Sequence, residues 1–274
     1  KTPIPSADAP GFVVNRYFVP WLNEAVRLLD EGVADVATID WAAKKAFEIG
    51  MGPFELMNVT GVPIAMHAAN TLGQELHAFY APAPGLVHQV NEVKQDWVLS
   101  GTPDESKFDA IASRLLGVTF YIAAKLVDEG VASVEDTDIG ARVGLRWIKG
   151  PFQLLNETGI GKAQEMVRAS MAPHGLEVPP FLAQADEGGI PIRLVSVGKR
   201  GALTSIWIDR PDAMNALNPA VGAQFDAAVE HGKANGAGIV IGGSGKAFVA
   251  GADIKFFVDN LRADAFQDIY SFTK

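Results

Sequence analysis

The amino-acid sequence predicts a mainly α protein, in which two tandem all-α modules are followed by a truncated α/β segment. Three observations lead to this prediction. The chain contains an internal repeat with an offset of 98 residues, each copy has apolar residues at helical spacing, and strand-like alternation begins after Gly188-Gly189. We place the predicted domains at residues 1–100, 101–189 and 190–274.

The repeat is clearest in the middle of each module. Leu28–Gly61 aligns with Leu126–Gly159 without a gap, and 15 of the 32 positions from 30 to 61 are identical. Gly52-Pro53-Phe54 meets Gly150-Pro151-Phe152 in this alignment. Agreement at Gly, Pro and Asn positions is hard to obtain by chance, so we interpret the repeat as a tandem duplication.

Helical periodicity defines the elements of each copy. In copy 1 the pattern predicts a helix that ends near Gly32, a second helix over residues 36–49, a short helix or turn after Gly52-Pro53, and a helix over residues 63–79. Copy 2 repeats this order, with helices predicted over residues 114–129, 134–147 and 151–156.

The last segment has a different pattern. Residues 192–197 and 203–208 alternate like strands on either side of a Gly-rich turn, and residues 219–234 form a predicted helix with Asn218 as its cap. Short apolar runs at 238–241 and 247–250 are candidates for further strands. Strand, helix and strand in succession indicate an α/β unit, and its length of about 85 residues is short for a complete open sheet.

Composition and charge exclude several classes of protein. The net charge is −9 and Lys and Arg form no cluster, so we expect neither a nucleic-acid nor a membrane partner. The apolar runs are far shorter than the ~18 residues of a membrane span. The chain has no cysteine, which excludes disulfides, thiol catalysis and thiolate metal sites. Its five histidines lack ligand spacing, so no metal site is predicted, and we expect a cytoplasmic protein.

Three glycine motifs fall short of a nucleotide-binding pattern. Gly50-Met51-Gly52 and Gly159-Ile160-Gly161 begin like a dinucleotide fingerprint but lack its third glycine, and the first of them follows a predicted helix rather than a strand. Gly245-Lys246 lacks the first glycine of a phosphate loop. No cofactor-binding residue is therefore predicted in this chain.

Asn15 is the first candidate functional residue. It follows Pro10-Gly11, and an asparagine at this place has two readings: it caps the long helix that follows, or it serves a site. The repeat matches Arg16 with Arg114 but Asn15 with Ser113. This difference is expected if both copies keep the scaffold and only copy 1 serves a site.

The run from Pro10 to Arg16, together with Gly52-Pro53-Phe54, resembles the C-terminal helical domain of 3-hydroxyacyl-CoA dehydrogenase. The resemblance covers residues 1 to about 188 as two copies. It implies that Asn15 belongs to an active site, near the substrate oxygen and a catalytic His. It also implies an acyl-CoA substrate and an NAD cofactor that is bound by a domain absent from this chain. Asn58 stands where this family has Asp, and we expect it to cap a local turn.

A second motif joins Lys246–Lys255 with Asp209–Asn218. Its small residues have two readings: a tight turn, or a close approach of a thioester carbonyl to a backbone N–H. Together the two runs resemble the N-terminal part of the enoyl-CoA hydratase (crotonase) family. The resemblance implies that Ala252 supplies an oxyanion N–H and that the segment lines the acyl-CoA site. The substrate-binding residues expected from it are Asp212, Ala213, Ala252, Asp253, Ile254 and Lys255, although a basic residue would suit position 212 better.

The two resemblances together imply a multifunctional fatty-acid β-oxidation enzyme with dehydrogenase and hydratase activities. We expect this chain alone to be inactive, because the family's catalytic base and carboxylates do not match any residue in it. The duplication predicts that the two helical copies pack as an internal pseudo-dimer, and a homo-oligomer is a further expectation. The alternative is a non-catalytic acyl-CoA-binding or assembly module.

Overall fold

Helices form most of the chain in the computed structural model, which describes residues 3 to 273. The first helix of copy 1 begins just after Gly11 and Phe12, which both have left-handed backbone conformations. Proline occupies the first turn of several helices, where its missing N–H costs nothing. The helices of copy 1 are α1 (Val14–Asp30), α2 (Val36–Phe47), α3 (Pro53–Thr60), α4 (Val62–Glu75) and α5 (Pro84–His88).

Copy 2 repeats the order of copy 1. Its helices are α6 (Phe108–Asp128), α7 (Val134–Ile139), α8 (Pro151–Thr158), α9 (Ile160–Met171) and α10 (Pro180–Ala183). Wider π-helical turns follow α5 at Gln89–Val93 and α7 at Gly140–Gly144. Both copies belong to one compact unit, Ile4–Ile190, and a second unit begins at Pro191.

The second unit contains a small mixed sheet. Its strands lie in the order β1-β2-β3, with β2 antiparallel to β1 and parallel to β3. Ile206, Ile208 and Val195 form its core with Val221 and Ala228 of the crossover helix. The elements are β1 (Val195–Arg200), β2 (Leu203–Ile208), α11 (Pro219–Asn235), β3 (Ile239–Gly243), α12 (Ile254–Arg262) and α13 (Phe266–Thr273).

The prediction of a mainly helical chain is confirmed, and several boundaries differ from the predicted ones. The helix predicted over 134–147 ends at Ile139 and continues as a π-helical turn. Helix α6 begins six residues earlier than expected, and α9 had no predicted counterpart. Strand β1 runs through most of the predicted turn, and residues 247–250 form no strand.

Asp40 and Asp138 hold the same turn in the two copies. The carboxylate of Asp40 accepts from the N–H groups of Phe54 and Glu55, at 2.8 and 3.0 Å. Asp138 accepts from Phe152 and Gln153, at 2.7 and 3.1 Å. Each buried carboxylate therefore satisfies two free N–H groups at a helix start, where the helix dipole favours negative charge.

The two copies pack on each other through α1 and α6. Trp147 of copy 2 lies against Tyr17, Trp21 and Phe47 of copy 1, with ring centroids 4.9 to 5.9 Å apart. These rings are fully or almost fully buried. Aromatic contacts of this kind contribute both apolar burial and directional ring packing.

Reciprocal ion pairs also join the copies. Arg16 of copy 1 donates to Glu129 of copy 2 at 2.7 Å, and Arg114 of copy 2 donates to Glu31 of copy 1 at 2.9 Å. The repeat offset relates Arg16 to Arg114 and Glu31 to Glu129. Each copy thus gives the other the same pair, as in an isologous contact.

One stretch of the chain, Glu105–Asp128, is long and apolar enough to cross a membrane. It consists of α6 and the turn before it, and 72% of its most apolar window is buried within the protein. A core helix of a globular unit has the same length and composition, because it must be apolar on nearly every side.

Candidate functional site

Asn15 lies in the first turn of α1, with its side chain exposed. The helix is capped at Val13 without a side-chain hydrogen bond, so Asn15 does not cap it. Within residues 3–273 the Asn15 amide makes no hydrogen bond. Gly11 and Phe12, at φ 74° and 47°, turn the chain into the helix just before it. The amide is therefore free to bind an external group.

The neighbouring Arg16 is buried, in contrast to Asn15. Its side chain is 1% exposed, pairs with Glu129 and lies over the ring of Tyr80. Burial tends to lower the pKa of the guanidinium, but Tyr80 and Glu129 outweigh that effect and raise it. Arg16 therefore joins the two copies, which explains why the repeat keeps this arginine while Asn15 is replaced by Ser113.

In copy 2, Ser113 lines a cleft with Lys45, Lys149, Glu157 and Lys162. We give the name Asn15 face to the repeat counterparts of those residues around Asn15, together with Phe12 just before α1. Val14, in the first turn of α1, lies against Gly140 and Gly144 of the π-helical turn in copy 2. The residues that the repeat offset assigns to this face are large, apolar and at least two-fifths exposed: Phe12, Met51, Val59, Ile64 and Val143. An exposed apolar patch of this kind is typical of a surface that binds a ligand or another domain.

The corresponding face of copy 2 is a cleft of about 360 Å³ with charged side chains at its rim. Ser113, the counterpart of Asn15, lines it together with Lys45 and Lys162. Lys149 crosses the rim and donates to Glu48 at 2.6 Å and to Glu157 at 2.7 Å.

The repeat offset matches the two faces position by position. Lys149 corresponds to Met51, Glu157 to Val59, Lys162 to Ile64, and Lys45 to Val143. Lys149, Glu157 and Lys162 of copy 2 thus have apolar counterparts in copy 1, whereas Lys45 of copy 1 corresponds to the apolar Val143 of copy 2. The two copies therefore share a scaffold and differ at this surface: Asn15 has the apolar counterparts Met51, Val59 and Ile64 where Ser113 has charged residues.

The glycine motifs do not form a dinucleotide cradle. A β-carbon on Gly52 would collide with the carboxylate of Asp40, which already takes the free N–H groups at the start of α3. Asp138 fills the equivalent place next to Gly150. A pyrophosphate needs such N–H groups unpaired, so these residues do not fit NAD.

The second unit brings its two motifs together through neighbouring loops. Leu217 donates to the carbonyl of Gly251 at 2.9 Å and accepts from the N–H of Asp253 at 2.8 Å. These bonds form a parallel bridge between Leu217 and Ala252. Ala252 is exposed, and its own N–H has no acceptor among the described residues.

Other residues expected in the acyl-CoA site have different environments. Asp253 is engaged within the protein, since it caps α12 through the N–H of Lys255 and pairs with Arg210 at 3.1 Å. Ile254 and Lys255 are exposed in the first turn of α12. Asp212 and Ala213 lie in a 3₁₀ turn, Pro211–Ala213, with Asp212 exposed and Ala213 half-buried.

Asn215 and Arg210 were part of the quoted motif, but sequence reasoning gave them no role. Asn215 is completely buried and joins the two loops through its amide, which bonds to Arg210, Ser244 and Ala247. The signal in the sequence is the asparagine of Asn215-Ala216-Leu217, which lies between apolar residues. A buried asparagine in a loop must satisfy its donors and its acceptor together, and it does so by bonding to neighbouring backbone.

Comparison with known families gives a match over more than half of the chain. The family described as 3-hydroxyacyl-CoA dehydrogenase, C-terminal domain, matches residues 11–95 and again residues 111–185. The two matches fall in the two helical copies. The second unit lies outside both of them.

A solved structure has a similar fold. The crystal structure of 3-hydroxybutyryl-CoA dehydrogenase from Escherichia coli K12 substr. MG1655 matches with a TM-score of 0.56 and 18% sequence identity. The match covers 67% of this chain and 61% of that dehydrogenase. The present chain therefore spans about three-fifths of that protein's length, and at this identity the likeness shows the fold alone.

Proposed function

This chain belongs to the family of 3-hydroxyacyl-CoA dehydrogenase C-terminal domains, and from that membership we propose that it serves an enzyme that oxidises 3-hydroxyacyl-CoA to 3-oxoacyl-CoA with NAD. The chain would supply the helical substrate-side domains. The reaction removes a hydride from C3 and a proton from the 3-hydroxyl group. Fatty-acid oxidation is the metabolic role that this chemistry supports.

The free amide of Asn15 on an apolar face is the observation that carries the proposal. An amide N–H donates to an oxygen that changes from hydroxyl to carbonyl, and it does not compete for the proton because it is neutral. The apolar surroundings lower the local dielectric and strengthen that hydrogen bond. Asn15 is accordingly the residue that we propose to be catalytic in this unit.

Copy 2 has a structural role in this proposal and does not form a second active site. Ser113 has a shorter side chain than Asn15, and its cleft is edged by the ion pairs of Lys149. Reciprocal contacts through α1 and α6 support an internal pseudo-dimer of the two copies. A further homo-oligomer and a cytoplasmic location remain part of the proposal.

NAD belongs to a domain outside this chain in our proposal. The starts of α3 and α8 are occupied by Asp40 and Asp138, so neither of these helix starts can hold a pyrophosphate. No step of the reaction is therefore assigned to NAD-binding residues of this chain.

The second unit forms the start of an enoyl-CoA hydratase domain in the same proposal. The unpaired N–H of Ala252 supports an oxyanion donor, and the loops that bear Asp212, Ala213 and Asp253 to Lys255 supply the acyl-CoA contacts. The domains are proposed at residues 1–100, 101–189 and 190–274. Hydration of an enoyl-CoA yields the 3-hydroxyacyl-CoA that the dehydrogenase consumes, which joins both activities in one multifunctional enzyme.

A matched pair of variants tests the dehydrogenase role. In the natural full-length polypeptide, Asn15→Ala should lower the reduction of acetoacetyl-CoA by NADH by about 10²-fold, the cost of one lost oxyanion-type donor. Ser113→Ala should leave that rate within about twofold, since a surface change away from the site has little effect. Equal losses in the two variants would contradict a site in copy 1 alone.

The alternative is a non-catalytic acyl-CoA-binding or assembly module. The same assay separates the two, because a module would show no NADH-dependent turnover while it still bound acetoacetyl-CoA. Crotonyl-CoA hydration, followed in parallel, reports on the hydratase part independently.

A further inference from the structure

We propose that Asn215 and Arg210 are positioning residues that direct the backbone N–H of Ala252 toward a thioester carbonyl. This inference rests on the hydratase part of the proposed function. Neither residue touches the carbonyl itself. Both act through two neighbouring loops, which we call the 210–217 loop and the 244–253 loop, and Ala252 lies in the second of them.

The direction of the Ala252 N–H follows from the bridge with Leu217. In a parallel bridge one residue bonds to both neighbours of its partner, and the partner's own N–H points to the other side. Leu217 bonds to Gly251 and Asp253, at 2.9 and 2.8 Å. The N–H of Ala252 therefore points away from the 210–217 loop, into the exposed side of the turn. Its direction depends on how firmly the two loops are held together.

Asn215 holds the loops together at their buried side. Its Oδ1 accepts from the N–H of Arg210 at 2.8 Å, and its Nδ2 donates to the carbonyls of Ser244 and Ala247 at 2.9 and 2.8 Å. One side chain thus closes its own loop and joins it to the other. An aspartate has the same shape but lacks both donors, so it would keep the first bond and lose the other two.

The backbone at Met214 and Asn215 adopts an unusual conformation that the hydrogen bonds of Asn215 hold in place. Met214 and Asn215 are both left-handed, at φ 50° and 57°. Such residues are strained unless the surroundings hold them, and asparagine tolerates the conformation better than most. The hydrogen bonds of Asn215 hold this turn, which places the carbonyl of Met214 to accept from the N–H of Ala250 at 3.1 Å.

Arg210 fixes the far end of the 244–253 loop. Its guanidinium donates to the carbonyl of Ala216 at 2.6 Å and to the carboxylate of Asp253 at 3.1 Å. The other oxygen of Asp253 caps α12. Arg210 therefore contacts both neighbours of the Leu217–Ala252 bridge, namely Ala216 in one loop and Asp253 in the other. The fork of arginine makes both bonds at once, which a lysine would not reproduce.

The experiment uses the 274-residue chain labelled with ¹⁵N-alanine, so that Ala252 and the buried core residue Ala228 report separately. Acetyl-CoA is titrated as the probe, and CoA without an acyl group is the control ligand. In the wild type we expect acetyl-CoA, but not CoA, to shift the Ala252 amide downfield, with about fivefold tighter binding of acetyl-CoA, the effect of one neutral hydrogen bond.

Asn215→Asp should abolish both the shift and the fivefold preference while CoA binding and the Ala228 signal stay unchanged. Asn235→Asp is the matched control, because it makes the same substitution outside both loops, where it removes a donor bond to the carbonyl of His231 near the end of α11, and it should behave like the wild type. If Asn215→Asp unfolds the unit, Asp253→Asn serves in its place, since it keeps the cap acceptor but weakens the tie to Arg210, and should reduce the preference to about twofold.

Two results would overturn the inference, and they differ. A thioester-specific shift of wild-type size in Asn215→Asp, or in Asp253→Asn where that variant is used, would show that these residues do not position the N–H, and the hydratase proposal would stand. No thioester-specific shift at Ala252 in the wild type would remove the hydratase proposal, and this inference with it.

Discussion

Asn58 and Asn156 occupy equivalent places and hold the end of each copy in the same way. The amide of Asn58 accepts from the N–H of Trp97 and donates to its carbonyl, each at 2.9 Å. Asn156 makes the same two bonds with Ile190, at 2.7 and 2.9 Å. The expected role was a local turn cap; the structure shows instead a clamp across 34 to 39 residues. An aspartate could not donate to the carbonyl, which explains the asparagine.

Asp138 makes stability depend on pH. Burial raises its pKa to about 6, although Phe152, Arg142 and Gln153 oppose this effect. The folded pKa thus exceeds the unfolded one, so the stabilising contribution is present in acid and is lost as pH rises through about 6. A shift of two units corresponds to about 3 kcal/mol. In urea unfolding, the free energy of unfolding of the wild type should therefore fall relative to that of Asp138→Asn between pH 4 and pH 7, because asparagine does not titrate. A gap between the two free energies that is the same at both pH values would contradict this.

At the scale of elements, the helix pair α1 and α6 carries two equivalent ion pairs with unequal surroundings. Arg114 also bonds to the buried Glu24, at 2.7 Å, whereas Arg16 has Glu129 as its carboxylate and two guanidinium nitrogens without a partner. The counterpart of Glu24 in copy 2 is Ile122. The two helices therefore share the arginine–glutamate pair between copies, but only Arg114 has a second carboxylate, that of Glu24.

This inequality gives a prediction. Glu129→Gln should lower the free energy of unfolding by about 2 kcal/mol, because it leaves the buried guanidinium of Arg16 without a counter-charge. Glu31→Gln should cost about 0.5 kcal/mol, since Arg114 keeps Glu24 and the Glu31 side chain is half exposed. Equal costs in chemical denaturation would show that the second carboxylate contributes nothing.

At the scale of the whole molecule, the two helical copies form one folding unit. Separation would expose α1, whose buried residues include Trp21, Leu22 and Val26, and would remove Trp147 from its aromatic neighbours. A fragment of residues 4–190 should unfold in one cooperative transition by circular dichroism, whereas residues 4–102 alone should aggregate or stay unfolded. A cooperative transition of the shorter fragment would contradict the shared core.

Catalysis is also a property of the larger assembly in our proposal. The 274-residue chain should turn over neither acetoacetyl-CoA with NADH nor crotonyl-CoA above background. General acid and base groups each contribute about 10²–10⁴-fold, and the proposal places them outside this chain. Turnover within tenfold of an intact enzyme in either assay would show that the catalytic residues lie here.

The sequence by itself determined the duplication, the helical class and the candidate residues Asn15 and Ala252, because these depend on local spacing and on motifs that the chain displays directly. It also showed that Ser113 replaces Asn15 in copy 2. Periodicity over one segment reports the apolar face of an element, and that information is local.

Only the tertiary structure decided what those elements face. It assigned Arg16 to the contact between copies and left Asn15 exposed, and it showed an apolar face in copy 1 where copy 2 has a charged cleft. It also revealed Asn215 as the tie between two loops. Partners such as Asp40 with Phe54, or Asn156 with Ile190, are separated by 14 and 34 residues, and a hydrogen bond over such a separation depends on how the whole chain packs.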